Sequence, residues 1–257
     1  MELSGLLPPG LMRRFFIDKR CIVEGVALIE GELFRHLITV LRLKSGAVMT
    51  LADGEGREYH GELTGVEPER ALVRVVEDVV STASGPAPAL TLIQGVPKGE
   101  RMEFILQKGT ELGAACFVPV LTSRTIPRLT GDRAAERVRR WERILLEAAR
   151  QSRRSDIPEV KAITTLTEAL AGARQELKLL LWEEESRQGL RELIATMTPP
   201  LSVALLVGPE GGLSREEAEE AIRAGFVPVT LGPRILRTET AGLAVLSSLQ
   251  YSWGDLG

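Results

Sequence analysis

The sequence predicts an α/β protein in two parts: a small β-rich amino-terminal domain, then a larger domain with a parallel sheet covered by helices. Three observations predict this. Short alternating strands fill the first 80 residues, a stretch of small residues and prolines follows, and apolar strands then alternate with amphipathic helices. With 257 residues, 44% of them hydrophobic, the chain is long and apolar enough to form both cores.

The amino-terminal domain is predicted to span residues 1–82. One helical stretch, residues 30–43, interrupts its short strands. The turn Asp53–Gly56 lies between two alternating runs and therefore predicts a β-hairpin, and residues 71–80 predict a further strand. Together these elements predict a small β-barrel.

The carboxy-terminal domain is predicted to span residues 83–257. The boundary falls in "STASGPAPA", residues 81–89, because its small residues and prolines offer little to pack. Beyond it, amphipathic helices separate the apolar strands "ALTLIQGV", "ACFVPVLTS", "LKLLLWE", "SVALLVG" and "FVPVTLG". Strands that alternate with helices in this way predict a parallel sheet.

The composition argues against several classes of protein. Cys21 and Cys116 form no metal-binding motif, which suits a reducing cytoplasm, and the only histidines, His36 and His60, are expected to pack as ordinary residues. Histidine triads and metal clusters are therefore poor hypotheses. No apolar run is long enough to span a membrane, and the start lacks the apolar core of a signal peptide. The net charge of −3 requires any nucleic-acid binding to come from a local basic patch.

Two loops share a design that indicates one binding site. "LLVGPEGGLS" and "VTLGPRILRTET" each run from a strand through Gly-Pro to a charged residue, Glu210 in the first and Arg234 in the second. In an open α/β sheet, loops after neighbouring strands form the ligand site. Glu210 would repel a phosphate, and the first loop matches neither G-x-x-x-x-G-K-[ST] nor G-x-G-x-x-G, so a neutral or cationic ligand fits better.

A purely structural interpretation of these loops stays open. Gly-Pro turns occur in many α/β loops, and Thr240 is placed to cap the helix that follows the second loop. Ser214 and Glu217 have the spacing of a capping box, so Ser214 is expected to begin a helix that ends at Gly225. The recurrence of the layout about twenty residues apart favours a functional site over chance.

Together "LLVGPEGGLS" and "LGPRILRTETA" resemble the paired signature motifs of the RsmE family of rRNA uridine N3-methyltransferases, in the SPOUT class. "HLITVLRLKSGAVMTLADGEGREYHGEL" is similar to that family's PUA-like domain, and "QGVPKGERMEFILQKGTELG" resembles the start of its catalytic domain. The resemblance implies a carboxy-terminal trefoil knot, S-adenosylmethionine as cofactor and a homodimer whose site is completed across the interface. It also implies a 16S rRNA substrate, free or in the small ribosomal subunit, methylated at a decoding-region uridine.

The resemblance also assigns site residues. The expected cofactor-binding residues, matched by motif, are Gly208, Glu210, Gly211, Gly212, Leu231, Gly232, Ile235, Leu236 and Arg237. Methylation of N3 requires a uracil anion, so Arg237 and Arg234 are expected to stabilise negative charge on the ring oxygens. Glu239 is expected either to accept the proton or to orient Arg237. Whether Glu210 touches the ligand or only braces its turn is left open.

An arginine-rich helix, residues 133–154, is a candidate RNA-binding element. Its predicted buried face comprises Val138, Trp141, Ile144, Leu145, Ala148 and Ala149. Its predicted opposite face comprises Arg133, Arg139, Arg140, Arg143, Arg150, Arg153 and Arg154. The alternative is a solvated surface whose arginines pair with Glu136, Glu142 and Glu147. By resemblance, the RNA-binding residues here are Gln151, Ser152 and Arg154, and in the first domain Arg14 and Arg42.

Three other functions are alternatives to this one. A ribose 2′-O-methyltransferase of the same class would carry an Asn-x-Gly motif, which a chain without asparagine cannot have. A conventional Rossmann methyltransferase would need a Gly-x-Gly turn after its first strand, and "LTLIQGVPKGER" has none. A catalytically inactive rRNA-binding assembly factor is the remaining alternative, and the intact "GPEGG" and "RTETA" motifs argue against it.

Overall fold

The computed structural model describes residues 13–80, 87–126, 131–182 and 188–256. Contacts divide the chain into two compact units. The first comprises Met1–Thr82 with Ala149–Ile157, and the second comprises Ala83–Ala148 with Pro158–Gly257. Most of the predicted boundary segment, residues 81–89, lies outside the described residues.

A mixed six-stranded sheet forms the first unit. Its strands are β1 Arg14–Phe16, β2 Ile22–Val23, β3 Val26–Glu30, β4 Val48–Ala52, β5 Arg57–Val66 and β6 Arg70–Val80. They pair in the order β1-β4-β5-β6-β3-β2, and β1 with β4 is the parallel pair among them. The predicted hairpin is confirmed, because β4 and β5 pair antiparallel on either side of Asp53–Gly56.

The predicted helical stretch of the first unit is shorter than expected. The helix α1, Gly31–Arg35, continues as a π-helical turn, His36–Val40. Leu37 from this turn is fully buried and packs with sheet residues that include Phe15 and Leu51. Burying side chains of this size stabilises the unit by about 1.5–3 kcal/mol each.

A seven-stranded parallel sheet forms the second unit. Its strands are β7 Ala89–Gly95, β8 Ala114–Leu121, β9 Glu159–Val160, β10 Thr164–Thr165, β11 Leu177–Leu181, β12 Ser202–Val207 and β13 Val227–Val229. They pair in the order β10-β8-β7-β12-β11-β13, and β9 pairs with β8. The parallel sheet predicted from the alternation of strands and helices is confirmed.

Helices cover both faces of the parallel sheet. The helices that follow β6 in the chain are α2 Arg101–Glu111, α3 Gly131–Gln151, α4 Leu166–Gly172, α5 Leu190–Thr196, α6 Arg215–Arg223 and α7 Thr238–Trp253, of which α2, α4, α6 and α7 pack on the sheet. On one face, α4 and α6 bury apolar side chains against residues such as Leu180 and Leu206. On the other, Gly109 of α2 lies against Phe117, and Gly242 of α7 lies against Leu92. With both faces covered, the central strands β7, β8, β11 and β12 consist mostly of apolar residues, as parallel strands usually do.

Candidate active site

The carboxyl ends of three neighbouring strands, β11, β12 and β13, open into one cavity of about 890 Å³. Two loops border it. The first loop, Gly208–Leu213, follows β12, and the second loop, Leu231–Arg237, follows β13. Ligands of open α/β sheets bind at this edge, beyond the carboxyl ends of the strands. The structure therefore brings together the two loops that share a design in the sequence.

Nearly all of the expected cofactor-binding and catalytic residues line this cavity. Those present in the lining are Gly208, Glu210, Gly212, Leu231, Gly232, Arg234, Ile235, Leu236, Arg237 and Glu239. The exception is Gly211, which is not in the lining but is hydrogen-bonded to a residue that is. Its carbonyl oxygen accepts a 2.6 Å hydrogen bond from the Nη1 of Arg124, and Arg124 itself faces the cavity.

The glycines of the first loop are required by its tight geometry. A Cβ atom on Gly208 would lie 2.8 Å from the carbonyl carbon of Gly212 and 2.9 Å from the nitrogen of Leu213. Gly212 itself has a φ of +70°, a left-handed conformation that glycine adopts at little cost. The loop is therefore a compact turn, closed further by a 2.9 Å hydrogen bond from the Gly212 nitrogen to the Pro209 oxygen.

Glu210 braces the first loop. Its carboxylate accepts a 2.8 Å hydrogen bond from the backbone N–H of Lys98 and forms an ion pair with Arg101. Burial alone would raise the pKa of Glu210, but backbone N–H groups, including that of Lys98, and the Arg101 guanidinium outweigh it and lower that pKa. Glu210 is thus held as a carboxylate at the edge of the cavity.

A buried polar network lies beneath both loops. The side-chain amide of Gln94, fully buried at the end of β7, donates to the oxygens of Gly95, Gly208 and Thr238. Thr238 in turn donates a 2.6 Å hydrogen bond to the carbonyl oxygen of Gly208. Because buried polar groups are costly when unpaired, these bonds fix the start of the first loop to the start of α7.

The second loop presents charged and apolar side chains at the cavity. Arg234 and Arg237 are exposed, and Ile235 is 83% exposed. The helix α7 begins at Thr238, and its N-cap residue is Arg237, whose side chain makes no capping hydrogen bond. Thr240 therefore lies inside the helix, and the suggestion that it caps α7 is wrong. The cation beside Glu239 is Arg101, whose Nε lies 3.9 Å from its Oε1.

Sequence reasoning missed several residues of the site. Arg101, Arg124 and Trp182 line the cavity, and Gln94 lies beneath it. The signal for Arg101 was its position just after β7, where the loop of a neighbouring strand reaches the same sheet edge. Gln94 carried a weaker signal, a lone amide at the end of an apolar strand.

The predicted capping box of α6 is confirmed, and its glutamate also contacts the loop after β8. Ser214 and Glu217 exchange the two hydrogen bonds of that motif. The other carboxylate oxygen of Glu217 accepts a 2.6 Å hydrogen bond from the backbone N–H of Ser123. Arg124 is the next residue after Ser123, so the hydrogen bond from Ser123 to Glu217 also positions the Arg124 guanidinium, which binds the Gly211 oxygen.

Two of the expected RNA-binding arginines have structural partners inside the first unit. Arg14 donates to the carbonyl oxygen of Arg153 and forms a 2.8 Å ion pair with Glu58. The side chain of Arg154 is 14% exposed and pairs with Asp156 at 2.5 Å. These guanidiniums stabilise the segment Ala149–Ile157, which reaches the hairpin through the 3.0 Å hydrogen bond from the Ile157 nitrogen to the Gly54 oxygen.

The remaining RNA-binding candidates lie nearer the surface. Arg42 is exposed and has a φ of +51°, Gln151 is exposed, and Ser152 is partly buried. The amphipathic character of α3 is confirmed. Trp141, Leu145, Ala148 and Ala149 are buried, Val138 and Ile144 are partly buried, and the exposed arginines are Arg133, Arg139, Arg140, Arg143 and Arg150.

Among the described residues, the alternative in which α3 pairs its own charges fails for two of its three glutamates, Glu136 and Glu142. Arg140 pairs with Glu103 of α2 at 2.8 Å, and not with a glutamate of its own helix. Within the described ranges, Arg133 and Arg139 form no ion pair, and neither do Glu136 and Glu142. Arg133 and Arg139 on the exposed side of α3 therefore remain available for contact with phosphates.

Comparisons with known proteins agree with this architecture. Residues 85–250 match the family described as RNA methyltransferase domain, and residues 29–76 match RNA methyltransferase PUA domain. The chain is 34% identical to Ribosomal RNA small subunit methyltransferase E of Bacillus subtilis, over 93% of this chain and 96% of that one.

Solved structures show the same likeness. The Neisseria gonorrhoeae Ribosomal RNA small subunit methyltransferase E bound to S-adenosyl methionine is 37% identical, with a TM-score of 0.82 over 96% of this chain and 100% of that one. A putative methyltransferase of Legionella pneumophila, in complex with the same cofactor, is 34% identical, with a TM-score of 0.81 over 95% of this chain and 99% of that one.

Proposed function

The chain belongs to the family of RNA methyltransferases that carry a PUA domain, and we propose that it methylates N3 of one uridine in the decoding region of small-subunit rRNA. The cofactor is S-adenosylmethionine, which the similar Neisseria protein binds. The observation that carries the proposal is the shared cavity, where the glycine-rich first loop and the arginine-bearing second loop meet.

The cavity fits this cofactor. Carboxylates of Glu210 and Glu239 face it, which suits a sulfonium cation, and Leu181, Val207 and Val229 supply apolar wall for an adenine ring. Its volume of about 890 Å³ is within the range of small-molecule sites. The residues that would hold the cofactor are Gly208, Glu210, Gly211, Gly212, Leu231, Gly232, Ile235, Leu236 and Arg237. When bound, it supplies an electrophilic methyl group.

The residues of the second loop prepare the uracil. Its N3 must lose a proton before it can attack, so negative charge develops on the ring oxygens. Arg237 and Arg234 donate hydrogen bonds to these oxygens. Both arginines are exposed, so an RNA substrate can reach their guanidiniums. Glu239, at the start of α7 and facing the cavity, accepts the N3 proton.

The two loops are also proposed to form the trefoil knot of the SPOUT class. The parallel strand order and the hydrogen bond from Thr238 to Gly208 support this, since that bond ties the end of the second loop to the start of the first. A homodimer is proposed as the working form. Exposed apolar side chains in the second loop and α7, Ile235 and Tyr251, support an interface there.

The proposed substrate is 16S rRNA or the small ribosomal subunit, met in the cytoplasm. Exposed Arg42 in the first unit and the arginines of α3 support contact with RNA phosphates. No helix within the described residues is long and apolar enough to cross a membrane.

Methyl transfer from labelled S-adenosylmethionine to small subunits lacking the modification tests the proposal, with the nucleoside identified by mass spectrometry. We expect N3-methyluridine, and a decrease in kcat of about 100-fold or more for Arg237→Ala. Lys161→Gln, which removes an exposed ion pair with Glu159, is the matched control and should keep full activity.

Other outcomes would contradict the proposal at different points. A 2′-O-methyl or 5-methyl product would keep the methyltransferase assignment and refute the N3 target. Tight RNA binding without cofactor binding in calorimetry would instead favour an inactive assembly factor.

A further inference from the structure

Arg101 is the first residue of α2, and its side chain lies near two carboxylates that line the cavity. It pairs with Glu210 of the first loop and faces Glu239, two residues beyond the second loop. We propose that Arg101 is a positioning residue that couples cofactor binding to the orientation of Glu239. The assignment rests on the proposed function, since it concerns the same cofactor and the same proton acceptor.

The contact with Glu210 is the tighter of the two. The Nη1 of Arg101 donates to Glu210 Oε1, and the same oxygen accepts the 2.8 Å hydrogen bond from the Lys98 nitrogen. Two donors from one short segment, Lys98–Arg101, therefore hold a single carboxylate oxygen. Hydrogen bonds between charged groups are stronger than neutral ones, so this pair fixes the position of the first loop.

The contact with Glu239 is looser and acts through charge. The Arg101 Nε lies 3.9 Å from Glu239 Oε1, which is beyond hydrogen-bond distance. The Glu239 side chain is only 18% exposed, so water screens this attraction less than it would on an open surface. The attraction orients the Glu239 carboxylate toward α2 without a hydrogen bond, so its oxygens remain able to accept a proton.

Only an arginine suits both contacts. The guanidinium presents Nη1 to one carboxylate and Nε to another because its donors form a rigid, planar fork. A lysine carries one compact charge at the end of a flexible stem, so a lysine that keeps the contact with Glu210 places that charge where Nη1 lies, farther from Glu239 than Nε is. The two contacts therefore predict separable consequences, one for cofactor affinity and one for turnover.

Two substitutions at Arg101 separate these consequences. Arg101→Gln removes both ion pairs, and we expect the cofactor Kd to rise about tenfold and kcat at saturating cofactor to fall about tenfold. Arg101→Lys should keep the cofactor Kd within about threefold of the wild-type value and yet lose kcat nearly as much. Calorimetry without RNA gives the Kd, and methyl transfer to small subunits gives kcat.

Lys108→Gln is the matched control. Lys108 lies on the same helix and pairs with Glu111, and the exposed fractions of that pair, 38% and 27%, are close to the 44% and 30% of Arg101 and Glu210. Loss of this pair should leave both Kd and kcat unchanged. Melting temperatures equal to the wild-type value for both this control and Arg101→Gln would show that neither substitution unfolds the protein.

Glu210→Gln breaks the first contact from its other side: the amide oxygen still accepts the Lys98 hydrogen bond, while the ion pair with Arg101 and the carboxylate charge at the cavity are both lost. It should raise the cofactor Kd at least as much as Arg101→Gln does, and the double variant should bind no more weakly than Glu210→Gln alone.

Three results would overturn the assignment: unchanged Kd and kcat in Arg101→Gln, equal loss of both in Arg101→Lys and Arg101→Gln, or additive losses in the double variant. A wild-type protein that fails to bind S-adenosylmethionine would instead refute the proposed function, and this assignment with it.

Discussion

The hydroxyl of Thr238 donates a 2.6 Å hydrogen bond to the carbonyl oxygen of Gly208, 30 residues earlier in the chain. The amide of Gln94 donates to the same two residues, at 2.9 Å to the Thr238 hydroxyl and at 3.3 Å to the Gly208 oxygen. Three chain segments that are distant in sequence thus meet in one buried network. This network fixes one end of each cavity loop, the start of the first at Gly208 and the end of the second beside Thr238.

Removal of the Thr238 hydroxyl should destabilise the protein. Thr238→Val leaves the buried amide of Gln94 without one acceptor and Gly208 without one donor, which costs about 1–3 kcal/mol of unfolding free energy. Urea denaturation measures this loss, and Thr238→Ser, which keeps the hydroxyl, is the control. Equal stability of the valine and serine variants would show that the hydrogen bond adds nothing.

Glu210 should make stability depend on pH in the acid range. Its pKa in the folded protein is lowered from the usual 4.5, so the folded state favours the carboxylate form. The stabilisation is therefore present above about pH 4.5 and is lost as the pH falls through the folded-state pKa. The stability difference between wild type and Glu210→Gln, from urea denaturation at pH 7 and at pH 3, should shrink at the lower pH. A difference that stays constant or grows would contradict the expectation.

The capping hydrogen bond of Ser214 should contribute to the free energy of unfolding. Ser214→Ala removes the side-chain acceptor for the Glu217 N–H and should cost about 1 kcal/mol. Ser214→Thr retains a hydroxyl and should recover most of this loss. Thermal and urea denaturation of the three proteins decide the matter, and an alanine variant as stable as wild type would refute it.

Arg42 is the clearest candidate for a phosphate contact in the first unit, since it is exposed and the described residues include no ion-pair partner for it. Arg42→Gly suits the φ of +51° and removes the charge. We expect weaker binding to rRNA and a salt dependence shallower by about one unit of slope.

Arg42→Lys keeps the charge and should retain the wild-type salt dependence. Filter binding at several salt concentrations measures the slope for all three proteins. If the glycine variant kept the wild-type slope, Arg42 would not contact a phosphate.

Much of the fold follows from local patterns. Alternating apolar residues around Asp53–Gly56 predicted the hairpin, and the run of apolar strands and amphipathic helices after residue 89 predicted the parallel sheet. The capping box at Ser214 followed from spacing alone. The extent of α1 did not, because the chain departs into a π-helical turn at His36 to bury Leu37, and tertiary packing decides that.

The sequence by itself determined the elements, the two matched loops and the residue types that the cavity contains, because periodicity, turn chemistry and motif spacing are local properties. Only the tertiary structure decided the partners. It showed that Arg101 lies beside Glu210 and Glu239, that Gln94 holds Gly208 to Thr238, and that Arg14 and Arg154 are engaged in ion pairs. Such pairings join residues as many as 144 positions apart, so they depend on how strands and helices pack and leave no signal in the local sequence.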